Sequence, residues 1–138
     1  MATLQCEIVT PERKVFSCEA SFIVLPAAEG EMGVLPMHEP VVTTLNAGSA
    51  RVTVDGEKEP TKFVVAGGYA QVESERVIIL ADRAMAVADI DATEVGATLA
   101  KLESRLEALK PEDDDYAFAQ AEMKWFELLR SQAPSKAH

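Results

Sequence analysis

The chain is poor in the groups on which catalysis usually turns. Its 138 residues include only two histidines, His38 and the C-terminal His138, so imidazole chemistry inside the chain would have to use His38. No serine or cysteine in a recognisable nucleophile elbow accompanies it, and one imidazole beside carboxylates is too few ligands for a zinc site. The two cysteines, Cys6 and Cys18, sit in apolar stretches without nearby histidines. That arrangement gives neither zinc spacing nor a C-x-x-C pair, and reduced, partly buried thiols are expected. Basic residues are scarce as well: 13 Lys and Arg stand against 23 Asp and Glu. Without a basic patch, binding to nucleic acid and direct docking on anionic lipid are both excluded. No apolar run approaches a membrane span, and Met1 to Val9 has neither the charged nor the apolar region of a signal peptide. A cytosolic location follows, with any membrane association made through another protein. Aromatic residues make up only 6%, so a modest, aliphatic core is expected.

Two further features look like sites and are not. Asp113, Asp114 and Asp115 lack the spaced ligands and distal glutamate of a calcium loop. Gly67-Gly68 is followed by no lysine of the phosphate-loop kind. The sequence therefore predicts no catalytic residue, no cofactor and no metal.

What the chain does contain is a stiff segment, E-G-E-M-G-V-L-P-M-H-E-P, from Glu29 to Pro40. Gly30 and Gly33 allow positive φ or close backbone approach, while Pro36 and Pro40 fix φ and remove amide donors. This reads as a shaped surface loop more than a strand.

Two regimes of hydrophobic periodicity meet near residue 89. Before it, the spacing is that of strands. Leu4–Val9, Val15–Phe16 and Ala20–Leu25 are candidates, the last an apolar run broken only by Ser21 and typical of a strand buried on both sides. Ala50, Val52 and Val54 alternate with polar neighbours, and Asp55-Gly56 offers the turn of a tight hairpin before Lys62–Ala66. A second hairpin joins Gly68–Glu73 to Arg76–Ala81 through Ser74-Glu75, with Gly67-Gly68 marking a bulge or a close approach of backbones. After residue 89 the period is helical. Asp91 and Glu94 have capping-box spacing, and Val95, Leu99, Leu102, Leu106 and Leu109 form one stripe that Pro111 ends. Asp113 to Asp115 begin a second helix, whose dipole their charge complements. That helix carries two stripes, one of Phe118, Ala121, Trp125, Leu128 and Leu129, the other of Tyr116, Ala119, Met123 and Phe126. One can meet the first helix, leaving the other for the β domain or another protein. Residues after Ala133 read as frayed. The predicted architecture is an all-β sandwich over 1–88 followed by an antiparallel α-helical hairpin over 89–138.

The residues closely resemble the epsilon subunit of rotary, proton-driven ATP synthases. The likeness runs through V-T-P-E-R-K-V-F at Val9–Phe16, the Glu29–Pro40 segment, G-G-Y-A-Q-V at Gly67–Val72 and V-I-I-L-A-D-R-A at Val77–Ala84, followed by the two-helix tail. It implies a sandwich of about ten strands and a non-catalytic place in the central stalk, on the cytoplasmic face of a bacterial inner membrane. The implied partners are the gamma subunit and the membrane rotor ring, with the alpha and beta subunits reached through the hairpin. Glu31 and Met32 match the family's ring-facing loop, and His38 and Thr43 match positions near gamma. The family usually has glycine where this chain has Met37.

Two departures follow from that comparison. Some relatives bind ATP through I-D-x-x-R-A at the start of the first helix. Here the matching residues are Ile90, Asp91, Glu94 and Val95, and Glu94 replaces the arginine with a charge that repels a triphosphate. In the family the hairpin can also leave the sandwich and block ATP hydrolysis by meeting acidic loops with basic residues. From Glu112 onward this chain has more acids than bases (Lys124, Arg130 and Lys136), so the drive for insertion is weak and a mainly docked hairpin is expected. Regulation of hydrolysis is therefore the second reading. A free-standing sandwich adaptor or a small independent enzyme fits the residues less well.

Overall fold

The computed structural model describes residues 2–134; of the tail expected to fray after Ala133, residues 135–138, with Lys136 and His138, lie outside the described residues. The chain divides into two compact units at the junction of Ala86 and Val87.

Among the described residues the first unit contains nine strands: β1 (Leu4–Val9), β2 (Lys14–Ala27), β3 (Gly30–Val34), β4 (Val41–Thr44), β5 (Gly48–Val54), β6 (Thr61–Val65), β7 (Gly68–Val72), β8 (Arg76–Ala81) and β9 (Ala84–Ala86). Their hydrogen-bonded order is β4-β7-β8-β1-β2-β5-β6-β9, with β3 also on β2. Neighbours pair antiparallel except β1 and β8, which run parallel. Strand β2 organises the layers, carrying β1 along its first half and β3 along its second, with β5 beside Ala20–Val24. The sheet closes as a sandwich around one core. Leu4, Ile8, Ile23, Leu25, Val52, Phe63, Val72 and Ile79 are fully enclosed there. Burial of each such large side chain contributes about 1.5–3 kcal/mol. The Phe16 and Phe63 rings meet with centroids 4.7 Å apart.

Several expectations need correction. Val15–Phe16 and Ala20–Leu25 belong to one long strand. Ala20–Leu25 is not buried on both sides: Ile23 and Leu25 point into the core, whereas Phe22 is 37% exposed. A run of apolar residues hides the alternation because the outward positions are apolar too. Strand β5 is not joined to β6 by a tight two-residue hairpin. Asp55-Gly56 does turn, with Gly56 at φ +87°, but the connection continues to Pro60 before Val52 pairs with Thr61. The Ser74-Glu75 hairpin forms as expected, closed by Glu73 N donating to Arg76 O at 2.7 Å.

The second unit opens with a 3-10 turn at Val87–Asp89 and continues as a hairpin of α1 (Ala92–Ala108) and α2 (Asp114–Gln132). Helix α1 is capped by Asp91 as read from the sequence, Oδ1 accepting from the amides of Thr93 (3.0 Å) and Glu94 (3.2 Å), but among the described residues Glu94 does not complete the capping box by accepting from the Asp91 amide. It stops at Ala108, ahead of Pro111. Asp113 occupies the cap position of α2 but does not cap it; its carboxylate accepts from Lys110 N at 2.9 Å and ties the turn instead. Burial on α2 does not follow the two expected stripes. Trp125 and Leu129 are buried, as is Ala119 of the other stripe, while Phe118 is 61% exposed.

Candidate functional site

The Glu29–Pro40 segment is half strand and half loop. Its first part is not the loop expected: Gly30–Val34 forms β3, a hairpin arm of β2 in the register Leu25↔Met32 and Pro26↔Glu31. Both glycines have local reasons. Gly30 sits at φ +126° beside the turn, and a Cβ on Gly33 would stand 3.1 Å from the Phe22 ring. Because successive side chains alternate, Glu31 projects outward while Met32 packs against the core. After Val34 the backbone is irregular, with Met37 N donating to Ser74 O at 2.7 Å and His38 N to Leu35 O at 3.2 Å.

Among the described residues, strand β3 pairs only with β2, and β4 only with β7. Between them lies a surface groove of about 690 Å³, lined by Ala27 to Met32 and Val41 to Thr44. One end is pinned: Ala28 N donates to Thr44 O at 3.0 Å, Asn46 Nδ2 to Ala27 O at 3.1 Å, and Ala27 bridges Leu45. Val42 in this wall is 65% exposed, and Leu35 and Met37 in the loop after β3 are 59% and 73% exposed. Exposed apolar side chains beside strand edges are the makings of a protein contact.

Of the residues singled out in the sequence, Glu31, Met32 and Thr43 come together in this groove, and His38 is not among its lining. His38 Nδ1 lies 2.7 Å from Glu39 O. A carbonyl only accepts, so in the neutral ring Nδ1 carries the proton. Thr43 Oγ1 donates to Thr44 O at 3.3 Å. Sequence reasoning missed Arg51, which reaches from β5 across β2 and grips Glu31 in a fork at 2.8 and 3.2 Å. That hydrogen-bonded pairing holds the Glu31 carboxyl below the usual carboxylate range. Val41 and Val42 were missed too, because nothing in V-V-T-T says which residues lie on an edge.

The other motif, Ile90, Asp91, Glu94 and Val95, opens α1. Ile90 and Val95 are buried, and the Asp91 carboxylate occupies the amide groups that a phosphate would seek. Among the described residues no cluster of three or more His, Cys, Asp or Glu could hold a metal, and no helix is long and apolar enough to cross a membrane.

Residues 3–87 match the family described as ATP synthase, Delta/Epsilon chain, beta-sandwich domain. The ATP synthase epsilon chain of Halorhodospira halophila is 35% identical over 139 residues, covering 96% of this chain and 99% of the relative. That of Neisseria gonorrhoeae is 36% identical over 95% of this chain and 98% of its own. That of Pelotomaculum thermopropionicum is 44% identical over 104 residues, 75% of this chain and 76% of the relative. Among solved structures, a chain of the Euglena gracilis mitochondrial ATP synthase (OSCP/F1/c-ring, rotational state 1) superposes with a TM-score of 0.70. It is 24% identical, with 95% of this chain and 81% of that one covered. A chain of the Tetrahymena thermophila mitochondrial ATP synthase (central stalk/c-ring) gives a TM-score of 0.54 at 14% identity, covering 95% and 96%. These two likenesses concern the fold. The sandwich, the two-helix tail and the similarity along the chain's length lead to one assignment: the chain belongs to the epsilon-chain family of ATP synthases.

Proposed function

We propose that this chain is a non-catalytic rotor subunit of an ATP synthase, binding the gamma subunit through its sandwich and touching the membrane rotor ring. In that place it couples proton translocation to ATP synthesis on the cytoplasmic face of a bacterial inner membrane. The observation that carries the reading is the groove between β3 and β4, which gathers Glu31, Met32 and Thr43 beside two strand edges and the exposed Val42. A rigid wall suits torque transfer, because a surface already ordered loses little further entropy on assembly. Glu31 is held in place before any partner arrives by its fork with Arg51. The test is reconstitution of the synthase with Glu31→Ala and His38→Ala together. Reduced retention of the subunit and reduced proton-driven synthesis are expected; wild-type retention and synthesis would sink the interface assignment.

Inhibition of ATP hydrolysis through the hairpin, by contact with the alpha and beta subunits, is the second reading. One observation favours it: Phe118 on α2 is 61% exposed and offers an apolar contact to another chain. Deleting the chain from Asp91 onward separates the two. A large rise in ATP hydrolysis would favour the inhibitor, and unchanged hydrolysis the coupling role alone.

A further inference from the structure

Cys6 and Cys18, twelve residues apart in sequence, are directly opposite each other in the β1–β2 ladder. Opposite residues of an antiparallel pair project on the same face of the sheet, and both cysteines belong to the inward face, with Cys6 buried and Cys18 half-buried against the same core. Opposite Cα atoms are about 4.5 or 5.5 Å apart, depending on whether the pair exchanges hydrogen bonds. Either spacing falls within the range of about 4.4–6.8 Å that a disulfide bridges. Facing Cβ atoms are about 4.5–5.5 Å apart, which is at or just beyond the long end of the disulfide range, so closure draws the strands slightly together.

We propose that Cys6 and Cys18 form a reversible cross-strand disulfide, making the β1–β2 pair a site of oxidation by peroxide-class oxidants. The two sulfurs have unequal parts. Cys18 is the more exposed and reacts first: its thiolate attacks one peroxide oxygen, the S–O bond forms, the O–O bond breaks, and the departing hydroxide takes up one proton and leaves as water. The sulfur is oxidised to sulfenic acid and the peroxide is reduced. Cys6 then attacks the Cys18 sulfur; the S–S bond forms, the S–O bond breaks, and the hydroxyl leaves as water with the Cys6 proton. Two thiols and one peroxide give one disulfide and two waters. Burial pushes the Cys6 thiol up to about 12, with the neighbouring Cys18 and Glu7 adding to the shift, and burial raises the Cys18 thiol as well, so both rest as thiols and the reaction is slow, starting at the more exposed Cys18. The enclosed position also disfavours pairing with a second chain, since Cys6 cannot reach one.

The experiment treats the full-length chain with hydrogen peroxide, quenches, alkylates under denaturing conditions and weighs the intact protein. The expected wild-type product is a monomer that has lost two hydrogen atoms, takes up no alkyl group, and regains two alkylation sites after dithiothreitol. Cys18→Ala and Cys6→Ala, the first at a half-exposed position and so the safer for folding, should each lose this product. Wild-type protein that keeps both thiols alkylable, stops at Cys18 sulfinic acid, or forms an intermolecular disulfide would overturn the proposal.

Discussion

Met37 holds φ at +73° although it has a side chain, at the position where the family resemblance leads one to expect glycine. Left-handed backbone costs a residue with a Cβ about 1–2 kcal/mol. Glycine would remove that strain and give back about 0.4–1 kcal/mol through the freer unfolded chain. Met37→Gly should therefore raise stability by about 0.5–1 kcal/mol, read as a higher urea midpoint; a lower midpoint would show that the Met37 side chain stabilises the loop by more than its backbone costs. Two other positions separate strain from crowding. Gly56 is at φ +87° with nothing within 4 Å of where a Cβ would stand, whereas a Cβ on Gly68 would overlap the Leu80 carbonyl oxygen and come within 2.8 Å of the Ala81 Cα. Those atoms are backbone of the paired strand and cannot rotate away. Gly56→Ala should cost about 1 kcal/mol and Gly68→Ala about 2–4 kcal/mol in the same unfolding measurement. Equal losses would mean that β7 and β8 part easily. The Gly67-Gly68 doublet was legible in the sequence because only a close approach or a special φ calls for it. The Glu31–Arg51 fork was not, because its partners lie on strands separated by a third and their pairing exists only once the sheet has formed.

At the level of elements, helices were easier to read than strands. The start of α1 was written locally, in Asp91 and the residues that follow it, and its cap needs no distant partner. Asp91→Ala removes the acceptor for two amides and should lower stability by about 1 kcal/mol, whereas Asp91→Asn keeps an acceptor and should cost only a few tenths. Thermal unfolding monitored by helical circular dichroism distinguishes them; an alanine variant as stable as wild type would remove the cap from the account. Strands depend on neighbours far away in sequence. The segment Ala20–Leu25, apolar apart from Ser21, read as doubly buried, yet Phe22 faces outward over Gly33, a placement that requires knowing where β3 lies. Strand β3 itself was hidden by its own glycines, which read as loop formers until β2 supplied the matching edge.

For the whole molecule, the change from strand to helix periodicity near residue 89 anticipated a sandwich and a helical hairpin, because each pattern persists over many residues. Its partners could not be read in that way, since edges and grooves arise only when β3 and β4 end the ladders on their sides. The central claim is that this face seats the chain in the rotor. It is tested most directly in membranes whose synthase lacks its epsilon chain, by adding back wild-type protein or Val42→Asp and measuring proton-driven ATP synthesis. Val42 is 65% exposed on β4, so the variant should fold as wild type does by circular dichroism. A buried carboxylate at a contact costs more than about 1.4 kcal/mol, or tenfold in binding. Wild-type protein should restore synthesis and folded Val42→Asp should need at least about tenfold more protein to do so; equal restoration by the two at the same concentration would contradict the account.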